Sequence, residues 1–282
     1  MIVSTQAAQE VAAALAAETG ERLATTDYRS FPDGELLVEV PPLDGRAVVV
    51  GSTVSSDAHL SVLLLQDAVR EAGADEVVTV IPYMGYARQD EAFSTGQPVS
   101  ARAVARAIST GTDRVVAVNL HEPAVADFFD VPVTEVDAAG VLADPLPDDL
   151  RDPVFLSPDE GAIDLAETVR EAYGDGTTDY FEKDRDYDTG EIDVTPSSVA
   201  VGDRDVVVVD DIVATGSTMS ESIAILQDRD PRRVYVATVH PLLVGNARSK
   251  LATAGVEAVL GTDTIERAVS RTSVAPVVAD VL

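Results

Sequence analysis

The sequence predicts a doubly wound α/β protein made of two similar halves with mostly parallel sheets, and three observations lead there. Short β-branched runs alternate with helical stretches along the 282 residues. The runs are apolar on both faces, as expected of parallel strands covered on both sides. One strand–helix–strand unit then recurs at nearly the same length in each half.

In chain order, residues 47–50 (Ala-Val-Val-Val) form the first strand-like run, a helical pattern covers 60–72, and 77–81 (Val-Val-Thr-Val-Ile) is the next strand. A helix over 101–109 leads to a strand at 115–118. Residues 144–153, rich in proline and acid, then read as a boundary. Beyond it lie strands at 154–156, 206–209 and 234–239, with a helix over 219–227. Such alternation belongs to sheets with helices on both faces. The repeat pairs the segment from Arg46 to Pro82 with the segment from Arg204 to Pro241. The copies differ where the first strand ends: one carries Gly51 and Ser52, the other Asp210 and Asp211. Two domains, 1–143 and 144–282, are therefore expected, with the last residues packing back on the first. A cleft between them is the default site.

Composition narrows the function classes. Hydrophobic residues at 46% and charged residues at 24% describe a globular chain. No apolar run approaches the roughly 18–20 residues of a membrane span, and the start lacks the basic and apolar regions of an export signal, so a cytoplasmic protein is expected. Without cysteine there are neither disulfides nor thiolate metal sites. The 49 acidic residues against 20 Lys+Arg give a net charge of −29, which repels nucleic-acid backbones and anionic membranes. The acids are scattered along the chain, which fits adaptation to concentrated salt, where self-repulsion is screened over a few ångströms. Folding and activity should accordingly fail in dilute buffer and return in molar KCl. An unchanged melting temperature without salt would count against that reading. Against this background the only two lysines, Lys183 and Lys250, stand out.

The strongest chemical signal is the run from Val206 to Thr218. An apolar strand delivers Asp210 and Asp211 to its carboxyl edge, where open α/β sheets bind ligands. A small-residue loop of Ala214, Thr215, Gly216, Ser217 and Thr218 then opens a helix, offering N–H groups and hydroxyls to a phosphate. The carboxylates suit vicinal sugar hydroxyls. Arg88 and Gln89 follow a strand in Tyr- and Gly-rich surroundings fit for a nucleotide, although a structural ion pair also explains an arginine on an acidic surface. Asp33, Gly34 and Glu35 form a turn that suits adenine or ribose donors, or a plain Pro-Asp-Gly turn. His121 and Asp159 each follow a strand-like run.

The 206–218 pattern resembles the signature shared by phosphoribosyltransferases and phosphoribosyl pyrophosphate (PRPP) synthetases. The order of Phe31-Pro-Asp-Gly-Glu35, Pro82-Tyr-Met-Gly-Tyr-Ala-Arg-Gln-Asp90, Asn119-Leu-His-Glu122, Ser157-Pro-Asp-Glu-Gly161 and Glu182-Lys-Asp-Arg185 resembles the ribose-phosphate pyrophosphokinases, most of all their archaeal branch. That resemblance implies two phosphoribosyltransferase-like domains and conversion of ATP and ribose 5-phosphate to AMP and PRPP. It also implies Mg2+ at His121 and Asp159, Lys183 as the catalytic lysine, and Arg185 on substrate phosphate. Arg88, Gln89 and the 33–35 turn would hold the nucleotide, and Asp210, Asp211 and the 214–218 loop the acceptor. A homo-oligomer built on dimers is expected. The alternatives are a phosphoribosyltransferase that consumes PRPP and a non-catalytic regulatory homologue. Ala214, Glu91 and Glu122 depart from the family pattern, which bears on substrate affinity and phosphate regulation more than on the reaction.

Overall fold

A computed structural model of the chain describes residues 1–185, 192–195 and 199–282; for 182–185 and 192–195 it describes the backbone. The chain divides into two compact units, one of Met1–Asp137, Asp263–Glu266 and Ser273–Leu282, the other of Ala138–Thr262 and Arg267–Thr272.

The first unit opens with β1 (Ile2–Ser4), α1 (Gln9–Thr19) and an antiparallel hairpin of β2 (Asp27–Ser30) and β3 (Leu36–Glu39). There follow β4 (Gly45–Val50), α2 (Ser56–Glu71), β5 (Ala74–Ile81), α3 (Ser100–Ser109), β6 (Arg114–Val118) and β7 (Val133–Val136). Five strands form a parallel sheet in the order β1-β4-β5-β6-β7. In β4, Ala47 and Val49 pack with Leu65 and Val69 of α2. Val48 and Val50 point the opposite way and are equally buried, as an all-apolar strand requires. Helix α2 starts where the sequence supplies a cap: the Ser55 hydroxyl accepts the Ala58 N–H at 3.1 Å, with Asp57 in the first turn and Arg70 in the last.

The second unit contains β8 (Val154–Ser157), α4 (Ile163–Tyr173), β9 (Thr177–Tyr180) and an antiparallel hairpin of β10 (Glu182–Arg185) and β11 (Ile192–Thr195). Then come β12 (Asp205–Ile212), α5 (Ser217–Gln227), β13 (Arg233–His240), α6 (Ala247–Thr253), β14 (Ala258–Thr262) and β15 (Ser270–Thr272). Its parallel sheet runs β9-β8-β12-β13-β14-β15. Val206 and Val208 pack with Met219, Ile223 and Leu226 of α5. The final helix, α7 (Ala275–Ala279), lies in the first unit against α1.

The repeat read from the sequence is the centre of a longer duplication. With β8 matched to β1, β12 to β4, β13 to β5, β14 to β6 and β15 to β7, the two sheets have the same order, and β9 is an addition. Each unit also places a hairpin between its first helix and its next central strand. The sequence pattern does not single out β1, β7, β9, β14, β15, either hairpin, or the helices α1, α4, α6 and α7. Helix α1 buries Val11, Ala12 and Leu15, but alanines on its other face blur the helical period. The stretch around Lys183, which lacks any visible pattern, contains β10. A two-stranded ribbon needs no buried face, so a fully charged strand leaves no period-two signal. Among the described residues, no helix is long and apolar enough to cross a membrane.

Candidate functional site

At the carboxyl end of β12 the buried valines give way to Asp210 and Asp211. The neighbouring strand β8, paired through Val208 and Leu156, leads to Asp159. Burial pushes the Asp210 carboxyl well above its ordinary range, and the charge and hydrogen bond of Asp211 and the charge of Asp159 push it further. The three charges repel one another there, a repulsion that a cation or hydroxyl donors would relieve.

The loop beyond them is strapped to the segment before α6. Leu243 N–H donates to the Val213 carbonyl at 2.9 Å, and Val244 N–H to the Ala214 carbonyl at 3.0 Å. Gly216 caps α5 with φ of 69°, and a Cβ there would sit 3.3 Å from the Ala247 carbonyl oxygen. Both the left-handed backbone and the close approach call for glycine. Helix α5 then begins at Ser217, so the N–H groups of its first turn have no helical partners, and that of Ser217 reaches the Thr215 hydroxyl oxygen only at 3.5 Å. Thr215 and Thr218 are exposed. The Lys250 ammonium of α6 donates to the Ser217 hydroxyl oxygen at 2.6 Å. Sequence reasoning left Lys250 unassigned, although the scarcity that singled out Lys183 applied equally to it.

The corresponding position in the first unit is built differently. Ser52 is fully buried, and its hydroxyl donates to the Thr264 carbonyl at 2.5 Å. It closes a structural contact where its counterparts present charge.

The other expected site residues of the first unit lie on three separate features. Asp33, Gly34 and Glu35 form the exposed tip of the β2–β3 hairpin. There Phe31 N–H donates to the Glu35 carbonyl at 2.8 Å, and the Asp33 carboxylate accepts Glu35 N–H at 3.2 Å. Arg88 is exposed on the turn after β5 and has no ion-pair partner among the described residues. Gln89 beside it is fixed by the Ser100 hydroxyl, which donates to Oε1 at 2.7 Å. His121 is exposed after β6. Two carboxylates hold its turn: Glu135 accepts Leu120 N–H at 2.9 Å, and Asp137 accepts from Asn119 Nδ2 at 2.8 Å.

The expected residues thus fall into two sets. Asp33, Gly34, Glu35, Arg88, Gln89 and His121 belong to the first unit, and Asp159, Lys183, Arg185 and residues 210–218 to the second. Lys183 and Arg185 lie on β10 with side chains outside the described residues. Among the described residues no group of three or more His, Asp or Glu side chains forms a ready metal site. A cavity of about 590 Å³ in the first unit, beside Ser4, Gln9 and Tyr28, contains none of the expected residues.

Comparison with known proteins covers the chain from end to end. Residues 1–111 match the N-terminal domain of ribose phosphate pyrophosphokinase, and residues 134–269 match the phosphoribosyl transferase domain. A ribose-phosphate pyrophosphokinase of Halobacterium salinarum is 66% identical, with 100% of each chain aligned. One from Methanopyrus kandleri is 41% identical over 99% of this chain and 97% of its own. Among solved structures, the phosphoribosylpyrophosphate synthetase of Mycobacterium smegmatis superposes with a TM-score of 0.82 at 26% identity, covering 100% of this chain and 96% of that one.

Proposed function

The chain belongs to the ribose-phosphate pyrophosphokinase family, and from that premise we propose how its residues divide the work of diphosphoryl transfer. The reaction moves the β,γ-diphosphoryl group of ATP to the C1 hydroxyl of ribose 5-phosphate. The C1 oxygen bonds to the β-phosphorus, the bond from that phosphorus to the α-phosphate's bridging oxygen breaks, AMP leaves, and the hydroxyl proton is lost. Positioning and charge neutralisation supply most of the catalysis in such transfers.

The observation that carries the assignment of roles is the end of β12, where a convergent carboxylate pair meets an open helix start. The N–H groups and hydroxyls of residues 214–218 hold the 5-phosphate, and Asp210 and Asp211 accept from the ribose hydroxyls. Arg88, Gln89 and the hairpin tip at Asp33, Gly34 and Glu35 hold the nucleotide; the unpaired state of Arg88 among the described residues supports this. Lys183 and Arg185 meet the charge of the migrating group.

The mutual repulsion of Asp159, Asp210 and Asp211 supports a cation there. Mg2+ suits such a place, taking few protein ligands together with waters and substrate phosphates, and Asp159 is the residue there that would hold it; in the first unit the family resemblance gives a metal-holding role to His121. When bound it would neutralise charge on the polyphosphate. A homo-oligomer built on dimers, working in the cytoplasm where ATP is supplied, completes the reading. Sedimentation in molar KCl tests the assembly.

The decisive assay incubates the protein with ATP, MgCl2 and ribose 5-phosphate in molar KCl. AMP and PRPP are expected. A phosphoribosyltransferase would give neither without a base and PRPP, and a regulatory homologue would be silent alone.

The two copies of the fold make a paired prediction. Asp210→Asn should raise KM for ribose 5-phosphate roughly 10-fold or more, the scale of one charge-assisted hydrogen bond. It should also raise the melting temperature of the substrate-free protein, because it removes one of three repelling charges. Ser52→Ala should leave KM unchanged and cost about 1 kcal/mol of stability, the scale of one buried hydrogen bond. Equal kinetic losses at both positions would mean that the two copies are not functionally distinct.

A further inference from the structure

We propose that Lys250 is a positioning residue for the ribose 5-phosphate loop, acting through Ser217 to orient a hydroxyl donor toward the substrate's phosphate. This deepens, and rests on, the reading of residues 214–218 as the 5-phosphate cradle.

An ammonium only donates, so at 2.6 Å the Ser217 oxygen must accept from Lys250. The Thr215 hydroxyl also donates to that oxygen, over a longer 3.3 Å. Both acceptor sites of Ser217 are then engaged, and its own O–H proton is left to donate. A hydroxyl that accepts from a cation is polarised into a stronger donor. The partner it fits is an acceptor-only anion at the start of α5, which describes a phosphate monoester.

The placement of Lys250 is built into the fold. Helix α6 is held to the loop by the Leu243 and Val244 N–H bonds to Val213 and Ala214, and by the close approach of Gly216 to Ala247. Lys250 lies within the same short helix, half-buried, with its ammonium on the loop side. Charge statistics sharpen the point. In a chain with 49 acids, one of two lysines has no carboxylate partner among the described residues and meets a neutral hydroxyl instead. In molar salt the screening length is roughly 3 Å, so a distant cation contributes little. A cation in direct contact with the loop keeps its effect.

The experiment is steady-state kinetics in molar KCl on Lys250→Met, Lys250→Arg, Ser217→Ala and the Lys250→Met/Ser217→Ala double variant, with melts on the same preparations. Methionine keeps the stem and its packing while removing the ammonium. Lys250→Met should raise KM for ribose 5-phosphate roughly 10- to 100-fold, with KM for ATP and kcat at saturation within about 3-fold. Arginine should recover part of the loss. The double variant should match Ser217→Ala alone, because the lysine acts through that hydroxyl. Lys250→Ala provides a second removal, and calorimetric binding of ribose 5-phosphate alone provides a second measurement if either variant melts early. A wild-type KM in Lys250→Met beside a raised KM in Ser217→Ala would overturn the role of Lys250 and leave the loop reading standing. Multiplied losses in the double variant would overturn action through Ser217. Unchanged KM in Ser217→Ala and in Thr215→Ala would remove the loop reading, and this inference with it.

Discussion

Lys183→Ala is expected to lower kcat by roughly 10²- to 10³-fold, the scale for losing one preorganised electrostatic donor. The KM for both substrates should move far less, since charge on the migrating diphosphoryl group grows toward the transition state and the contact strengthens there. Stability should hold as well. Lys183 lies on β10, one strand of a two-stranded ribbon outside the six-stranded sheet, and the nearby core residue Phe181 is a separate, fully buried anchor. Arg185, two residues along β10, should behave differently: Arg185→Ala raises KM along with lowering kcat if it binds ground-state phosphate. Kinetics at fixed high salt, with melts on the same samples, check both. A Lys183→Ala enzyme with near wild-type kcat would remove the residue from the mechanism.

The parts of this fold that announce themselves in sequence are those whose burial is regular. The strands β4, β5, β6, β12 and β13 are covered on both faces along their centres, so apolar residues on both faces make the run visible. Three-residue strands such as β1 and β15 are too short to carry a period, and of the β2–β3 hairpin only Val38 is buried. The site divides in the same way. The 210–218 segment was legible because chemistry and backbone constraint occupy consecutive residues: the acids, the required Gly216, then the helix start. Lys250 was not, because it reaches Ser217 from a helix thirty-three positions away in sequence, and only tertiary packing creates that contact. Ser52 shows the converse. Its place in the repeat suggested a vacant counterpart of the acidic pair, whereas the fold gives it a buried hydrogen bond to Thr264.

Asp205→Ala should destabilise the second unit by about 3 kcal/mol, the low end for breaking a buried ion pair. Asp205 stands at the amino end of β12, the strand whose other end presents Asp210. Its carboxylate is fully buried and accepts from Arg232 Nη1 at 2.6 Å, Arg233 Nε at 2.9 Å, Arg233 Nη2 at 2.7 Å and Arg151 N–H at 2.7 Å. Burial by itself pushes this carboxyl up. The Arg233 bonds, the Arg151 N–H and the two guanidinium charges outweigh it and hold the group below the ordinary carboxylate range. The low end of the scale applies because Arg232 and Arg233 keep 36% and 21% side-chain exposure and regain water when their partner goes. Molar salt protects this network better than a surface pair, since ions cannot enter a buried contact. Arg29→Ala, which breaks an exposed pair with Glu39, should therefore leave the melting temperature unchanged. A group with a depressed folded pKa contributes stability that is present above its unfolded pKa and is lost as pH falls through the folded one. The wild-type protein should thus lose this contribution only below the ordinary carboxylate range, and Asp205→Ala should lack that part of the acid slope. Melts against pH in molar KCl measure both effects. Well below its melting temperature the variant should keep a KM for ribose 5-phosphate within about 2-fold of wild type, because sites this far apart along one strand respond independently. A large KM change at unaltered stability would instead make the Asp205 network part of how β12 delivers Asp210 to the substrate.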